Sequence, residues 1–201
     1  MEITSEEQLR EQCGLAKLRA IQKQLDYIDE HIHRFITLSP FLVLSTSSNR
    51  MEMDSSPRGG APGFVKVLDP KTLLMPDAMG NNRLDSYRNI IENQQVGMLF
   101  LIPGLDETVR VNGSAIISTD TSFLEQFADL RKTPKVVLVI QVREVFLHCA
   151  KALMRSKLWA NDFKIDRKHL PTMGDMLKDQ TNNQDIAESQ EAMLARYQQE
   201  L

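Results

Sequence analysis

Apolar residues recur at two periods along the chain, and the change from one to the other divides it. From Leu15 they return every three or four positions, at Leu18, Ile21, Leu25 and Ile28, the repeat of a helix with one buried side. A shorter helix is predicted ahead of it at residues 4–12, where Thr4 or Ser5 supplies a cap and glutamates fill the first turn. Gly14 separates the two. A third helix, at 29–38, places Ile32, Phe35 and Ile36 on one side and leaves His31 and His33 on the solvated side. Ser39-Pro40 ends it, because a residue before proline is steered out of the α region.

From residue 41 the signal becomes that of strands. FLVLST at 41–46 reads as a buried strand, SSNR at 47–50 as a polar turn, and 51–55 as the returning strand of a hairpin. FVKVL at 64–68 and TLLM at 72–75 follow, joined by an Asp69-Pro70 turn. A helix at 84–92 carries Leu84, Tyr87, Ile90 and Ile91 on its apolar side. VGMLFLI at 96–102 is a core strand, Pro103-Gly104 a turn, and TVRVNGSAIIS at 108–118 a long strand with Gly113 at a bulge or close approach. Asp120 or Thr121 caps a helix at 121–130, and KVVLVIQVREVFL at 135–147 is the longest β signal in the chain. Residues 148–158 return to helix, with Trp159 as an apolar anchor. Beyond Pro171 the chain is mostly polar. Met193, Leu194 and Tyr197 form a stripe on a final helix at 186–199, and the rest of the tail after Thr172 is weakly folded or draped over a partner subunit. Six or seven strands with short connections predict a mainly antiparallel α+β fold. Two inserted helices are too few for a doubly wound sheet, and a small β-barrel with helical additions fits the order.

Composition narrows the function classes. The chain has 201 residues, enough for one substantial core with helical extensions, and 42% of them are hydrophobic, which excludes a disordered chain. Its 24 basic and 27 acidic residues leave a net charge of -3, so no global field draws it to nucleic acid. No run approaches the roughly 18 apolar residues of a membrane span. The start, MEITSEEQLREQ, has no apolar leader segment, so a reduced, cytoplasmic protein is expected. Cys13 and Cys149 and the four histidines make no metal-binding spacing.

The catalytic motifs of self-contained enzymes are missing: no GxGxxG after a strand, no GxxxxGK[ST], no GxSxG, HExxH or CxxC. Asp77 and Asp85 are not spaced as an acid/base pair, and no catalytic residue is assigned. The hard chemistry, if there is any, falls to a cofactor. One stretch, SSPRGGAPGFVKVLDPKTLLMPDAMGNNRLDSYR at 55–88, concentrates arginine, asparagine and glycine beside core strands. Arg83 stands where a helix begins, and free N–H groups together with the helix dipole favour a phosphate there. Asn81 and Asn82 are placed to cap that helix and donate amides. Ser86 approaches the same turn, and Arg88 follows it. An ordinary cap beside solvated arginines fits the same residues. In Ser56-Pro57-Arg58-Gly59-Gly60 the glycines permit close backbone approach and Arg58 a contact to phosphate or carboxylate, or the segment is a plain hairpin loop. Arg110 alternates with Val109 and Val111, facing a ligand, a subunit interface or solvent. Met75, Pro76 and Asp77 end an apolar strand whose backbone suits a flat polar heterocycle, although Met75 itself fits the core.

These pieces together resemble a known family. SPRGG at 56–60, PGF at 62–64, LLMPD at 73–77, GNNRLDS at 80–86, Asn93, and VGMLFLIPGLDETVRVNG at 96–113 are similar to a bacterial branch of the flavin-binding split-barrel proteins related to pyridoxamine 5'-phosphate oxidase. REVFLHCAKALMRSKLW at 143–159 extends the resemblance, which covers roughly residues 30–160. It implies an antiparallel split β-barrel at 39–160 with helical extensions at 1–38 and 161–201, and a homodimer with FMN in a cleft between subunits. It implies that Arg83, Ser86 and Arg88 hold the FMN phosphate with Asn81 and Asn82 nearby, that Met75–Asp77 lies along the flavin ring, and that Arg58 and Arg110 sit near the cofactor. The oxidase's serine-arginine-lysine run is replaced here by Asn-Asn-Arg in a longer loop. The implied activity is that of an FMN-dependent oxidoreductase, drawing electrons from a small molecule or a nicotinamide. A non-enzymatic flavin store, sensor or electron-transfer protein, and a split barrel holding haem or a deazaflavin, are the alternatives.

Overall fold

A computed structural model describes residues 2–78, 80–182 and 186–200. Helices α1 (Glu6–Cys13), α2 (Leu18–Gln22) and α3 (Glu30–Leu38) open the chain. Their caps are the short polar side chains the sequence offers. Ser5 Oγ accepts the Gln8 N–H at 3.2 Å and Asp29 Oδ1 the Ile32 N–H at 2.8 Å. The helix expected to run from Leu15 to Ile28 is cut down to α2. Leu25 instead exchanges backbone bonds with Val145 (3.0 and 2.7 Å), and Ile28 N–H reaches Pro70 C=O at 2.8 Å. Pairing with the sheet satisfies those backbone groups better than a helix whose apolar side has nothing to cover. Leu15, Leu18 and Ile21 accordingly stay exposed.

The strands are β1 (Phe41–Ser47), β2 (Met53–Gly59), β3 (Lys66–Asp69), β4 (Thr72–Pro76), β5 (Gln95–Leu101), β6 (Thr108–Ser118) and β7 (Val137–His148). They form one antiparallel sheet in the order β2-β1-β5-β6-β7-β4-β3. Helix α4 (Asp85–Asn93) joins β4 to β5. Burial alternates along β1 and β5, so each has one face in the core. That inner face carries Leu42, Leu44, Met98, Phe100, Val109, Val111, Leu138 and Ile140, and it is covered by Ile32 and Ile36 of α3 and Ile90 of α4.

The expected split β-barrel is not what forms. β2 and β3 are the two ends of the sheet and do not pair with each other, so the sheet stays open. Residues 60–65, which link them, make a turn closed by Phe64 N–H to Ala61 C=O, and Phe64 and Val65 drop into the core. β3 has only four residues, a short edge with few backbone groups to pair.

Two glycines are required by close approach. At Gly113 the β6–β7 register shifts, and a Cβ there would lie 2.0 Å from Gln141 C=O. At Gly174 a Cβ would lie 2.1 Å from Glu188 C=O. The second contact lies in the tail, whose described residues form two helices where a weakly folded segment was expected: α7 (Met173–Thr181) is capped by Thr172, whose Oγ1 accepts the Asp175 N–H at 3.1 Å, and it packs against α8 (Gln190–Glu200). Met193 is buried, whereas Leu194 and Tyr197 of the expected stripe are exposed. Between β6 and β7, α5 (Thr121–Leu124) runs into a 3-10 turn that buries Phe127 against Leu74, Val137 and Val139 on the outer face of the sheet. α6 (Lys151–Ser156) follows β7, and the Trp159 indole N–H donates to Leu105 C=O at 2.7 Å. Among the described residues no helix is long and apolar enough to cross a membrane. Cys13 and Cys149 are free and exposed.

Candidate functional site

The strand β2 extends further than its sequence signal. Residues 56–59, read as part of a glycine-rich loop, are its second half, and Pro57 is tolerated because β2 is an edge strand. The register pairs Thr46, Leu44 and Leu42 of β1 with Asp54, Ser56 and Arg58. Directly paired residues share a face, so Asp54, Ser56 and Arg58 form a polar row on the inner side of the sheet. Helix α4 lies over that end of the sheet, and its first turn meets the row.

Ser86, 3% exposed, is the meeting point. Its Oγ donates to Asp54 Oδ2 at 2.6 Å, lies 2.9 Å from Ser56 Oγ, and accepts from Arg58 Nη2 at 3.0 Å. Ser56 Oγ also reaches Asp54 Oδ2 at 3.4 Å. Next to Ser86, Asp85 binds both flanking arginines, Arg83 through Nε and Arg88 through Nη2. The Arg83 hydrogen bond first, and the Arg88 bond second, hold the Asp85 carboxyl below the usual carboxylate range. Three guanidiniums and two carboxylates thus share one cluster. A cleft of about 360 Å³ opens beside it, between the β1–β2 turn and α4, lined by Arg50, Glu52, Asp54, Arg83, Asp85 and Arg88 among others.

The start of α4 differs from the expected cap. Leu84 is the cap residue, in the left-handed region at φ 58°, its side chain makes no capping bond, and among the described residues no side chain accepts from the first turn. Asn81 Oδ1 takes the Arg83 N–H at 3.0 Å instead, and Asn82 sits in the loop at φ 55°. The leading N–H groups of the helix are therefore left for a ligand or solvent.

The residues expected along a flavin ring divide. Met75 and Pro76 are buried, Met75 within the main core. Asp77 is half-buried and accepts from Tyr87 OH at 2.6 Å, which ties the end of β4 to α4. Burial first, and the Asp77 bond second, push the Tyr87 phenol well above its ordinary value, so it stays protonated. Arg110 is not brought to the cluster. It lies on the outer face of β6, paired with Glu144 at 2.6 Å and 5.0 Å from the Phe146 ring centre. Arg58, Arg83, Ser86 and Arg88 are thus brought together, with Asn81 and Asn82 in the adjoining loop. Ser56, from the candidate segment 56–60, joins them, as do Asp54 and Tyr87, which had not been singled out as site residues. The alternating D-S-S-P-R of 54–58 was the available signal, because it puts three polar groups on one face of a strand.

The family model described as "Pyridoxamine 5'-phosphate oxidase" matches residues 28–149, which span every strand and α4. The chain belongs to the pyridoxamine 5'-phosphate oxidase family. No curated protein matches it. Among solved structures, HupZ from Group A Streptococcus is similar at 18% identity over 60% of this chain and 93% of that one, with a TM-score of 0.50. A histidine-substituted form of HupZ gives 18% identity, 60% and 99% coverage and a TM-score of 0.51. A pyridoxamine 5'-phosphate oxidase-like protein from Lactobacillus delbrueckii gives 21% identity, 62% and 98% coverage and a TM-score of 0.48. These likenesses concern the fold. The family relation links the chain, at the level of the superfamily, to pyridoxamine 5'-phosphate oxidase-like proteins that bind flavin.

Proposed function

We propose that the chain binds FMN and acts as a flavin-dependent oxidoreductase on a small molecule. One observation carries the binding site: Arg58 of β2 and Ser86 of α4 converge at 3.0 Å beside a helix start that no side chain caps among the described residues. A phosphate monoester seated there accepts from the Arg58 guanidinium and the N–H groups of the first turn of α4. Arg83 and Arg88 border the same turn. Each charge-assisted bond of this kind contributes roughly 1.5–3 kcal/mol. Family membership supports FMN as the source of that phosphate.

The chemistry that FMN supplies when bound is hydride or electron transfer at its ring. The residues of this chain position it. Asp77, held by Tyr87, stands at the end of β4, where the ring of a cofactor anchored at α4 would extend. A homodimer is part of the same reading. The outer face of β1 and β5 leaves Phe41 exposed and Val43, Leu99 and Leu101 half-buried, an apolar surface that a second subunit would cover.

The test is a spectrum. Purified protein should show flavin bands with about one FMN per subunit, or apo-protein should take up added FMN. Colourless protein that takes up none overturns the reading. A second reading, a flavin carrier without catalysis, uses the same binding site, where no residue is assigned a catalytic role. Anaerobic reduction by NADH or NADPH separates the two.

A further inference from the structure

The hydrogen bonds around Ser86 run in one direction. Ser86 has a single hydroxyl proton, and its nearest acceptor is the Asp54 carboxylate at 2.6 Å. Arg58 donates to Ser86 at 3.0 Å, and Ser56 Oγ lies 2.9 Å away. An ionised carboxylate accepts and cannot donate. The Ser86 proton is therefore committed to Asp54, and Ser86 is no donor to an incoming phosphate. Asp54 also brings a negative charge to the place beside Arg58 where the phosphate would sit, with Glu52, Asp85 and Glu92 elsewhere along the cleft.

We infer that Asp54 is a specificity-determining residue that selects an anion carrying one proton: the site takes a phosphate monoester as its singly protonated form, the shared proton bridging the ligand and the Asp54–Ser86 pair. This rests on the phosphate site proposed above. A fully ionised phosphate meets an acceptor-only carboxylate and is repelled. A singly protonated one offers a P–O–H donor to it and keeps its other oxygens for Arg58 and the helix N–H groups. Whether the proton resides on the phosphate or on the carboxylate, the complex holds one more proton than its separated, fully ionised partners.

The charged groups around Asp54 leave that proton as the one that titrates. Arg58 lies along its strand, Arg50 and Glu52 in the turn, and Arg83, Asp85, Arg88 and Glu92 on the α4 side of the cleft. Its partner on β1 is the uncharged Thr46. Guanidiniums and carboxylates ordinarily change charge outside pH 6–8.5, whereas a phosphate monoester loses its second proton near pH 6.

The experiment compares FMN with riboflavin, which lacks the phosphate, by titrating apo-protein from pH 5.5 to 8.5. The ratio of FMN to riboflavin affinity should fall on the order of a hundredfold between pH 6.5 and 8.5, one proton being retained on binding. In Asp54→Asn the ratio should be level or rise with pH. A ratio above one that does not change with pH in the natural protein overturns the inference and leaves the phosphate site standing. A slope that survives in Asp54→Asn assigns the proton elsewhere and also overturns it. Equal affinity for FMN and riboflavin at every pH, or no binding of either, overturns the phosphate site itself. The natural protein alone decides the first outcome, so the test stands even if the variant does not fold.

Discussion

Arg58 and Ser86 lie 28 residues apart in the chain and 3.0 Å apart in the fold. The contact exists because the edge strand β2 turns Arg58 inward and α4 sets Ser86 down upon it. Arg58→Ala should therefore weaken FMN binding by about tenfold to a hundredfold, the loss of one charge-assisted phosphate bond. Arg83→Ala should weaken it as well. Arg19→Ala, on the exposed α2, should leave it unchanged. Titration of apo-protein with FMN measures all three, and equal affinities would refute the phosphate role.

Tyr87→Phe removes the donor to Asp77 and leaves a half-buried carboxylate without its 2.6 Å partner. The expected loss is about 1–2 kcal/mol of folding stability, less than for a fully buried pair because water reaches Asp77. Urea denaturation at pH 7 tests it. An unchanged midpoint would show that the pair does not tie β4 to α4.

Gly113→Ala places a methyl group 2.0 Å from the Gln141 carbonyl oxygen. Backbone must move, and the β6–β7 register shift has no room to absorb it. A loss of about 2–3 kcal/mol is expected. Gly104→Ala is a fair comparison: nothing lies within 4 Å of its added methyl, so the cost there is only that of a positive φ.

His148 should make the fold less stable on the acid side. Burial first, and the charges of Arg110 and Lys23 after it, lower its pKa from the ordinary 6.5. Below pH 6.5 the unfolded chain binds a proton that the folded one resists, so stability falls as the pH drops through that value toward the folded pKa. His148→Gln should show a shallower decline between pH 7 and 5.5 in thermal melts. An identical decline would place the effect in other groups.

Much of this architecture was legible in the sequence. FLVLST and VGMLFLI announced buried strands, although each proves to bury one face only, and Gly113 announced a bulge or close approach. What failed had physical reasons. Leu25 and Ile28 sit in a helical pattern, yet their backbone groups pair with Val145 and Pro70, and tertiary contact decided the local structure. Pro57 and the two glycines after Arg58 disguised the end of an edge strand as a loop. Arg110 shares its residue type with Arg58 but not its side of the sheet, and only register assigns a side. Asn81 and Asn82 are good capping residues by type, but the chain reaches the helix through Leu84 in the left-handed region.

Pro57 has a consequence beyond the cleft. It lies on an outermost strand, where a free row of N–H and C=O groups is a template for an intruding chain. Proline removes one donor from that row. The neighbouring Arg58 caps the acceptor as well, its Nη1 donating to Pro57 C=O at 2.9 Å. One residue of the rim thus offers nothing to a passing strand, and the arginine that would grip a ligand also guards the sheet against polymerising along that rim.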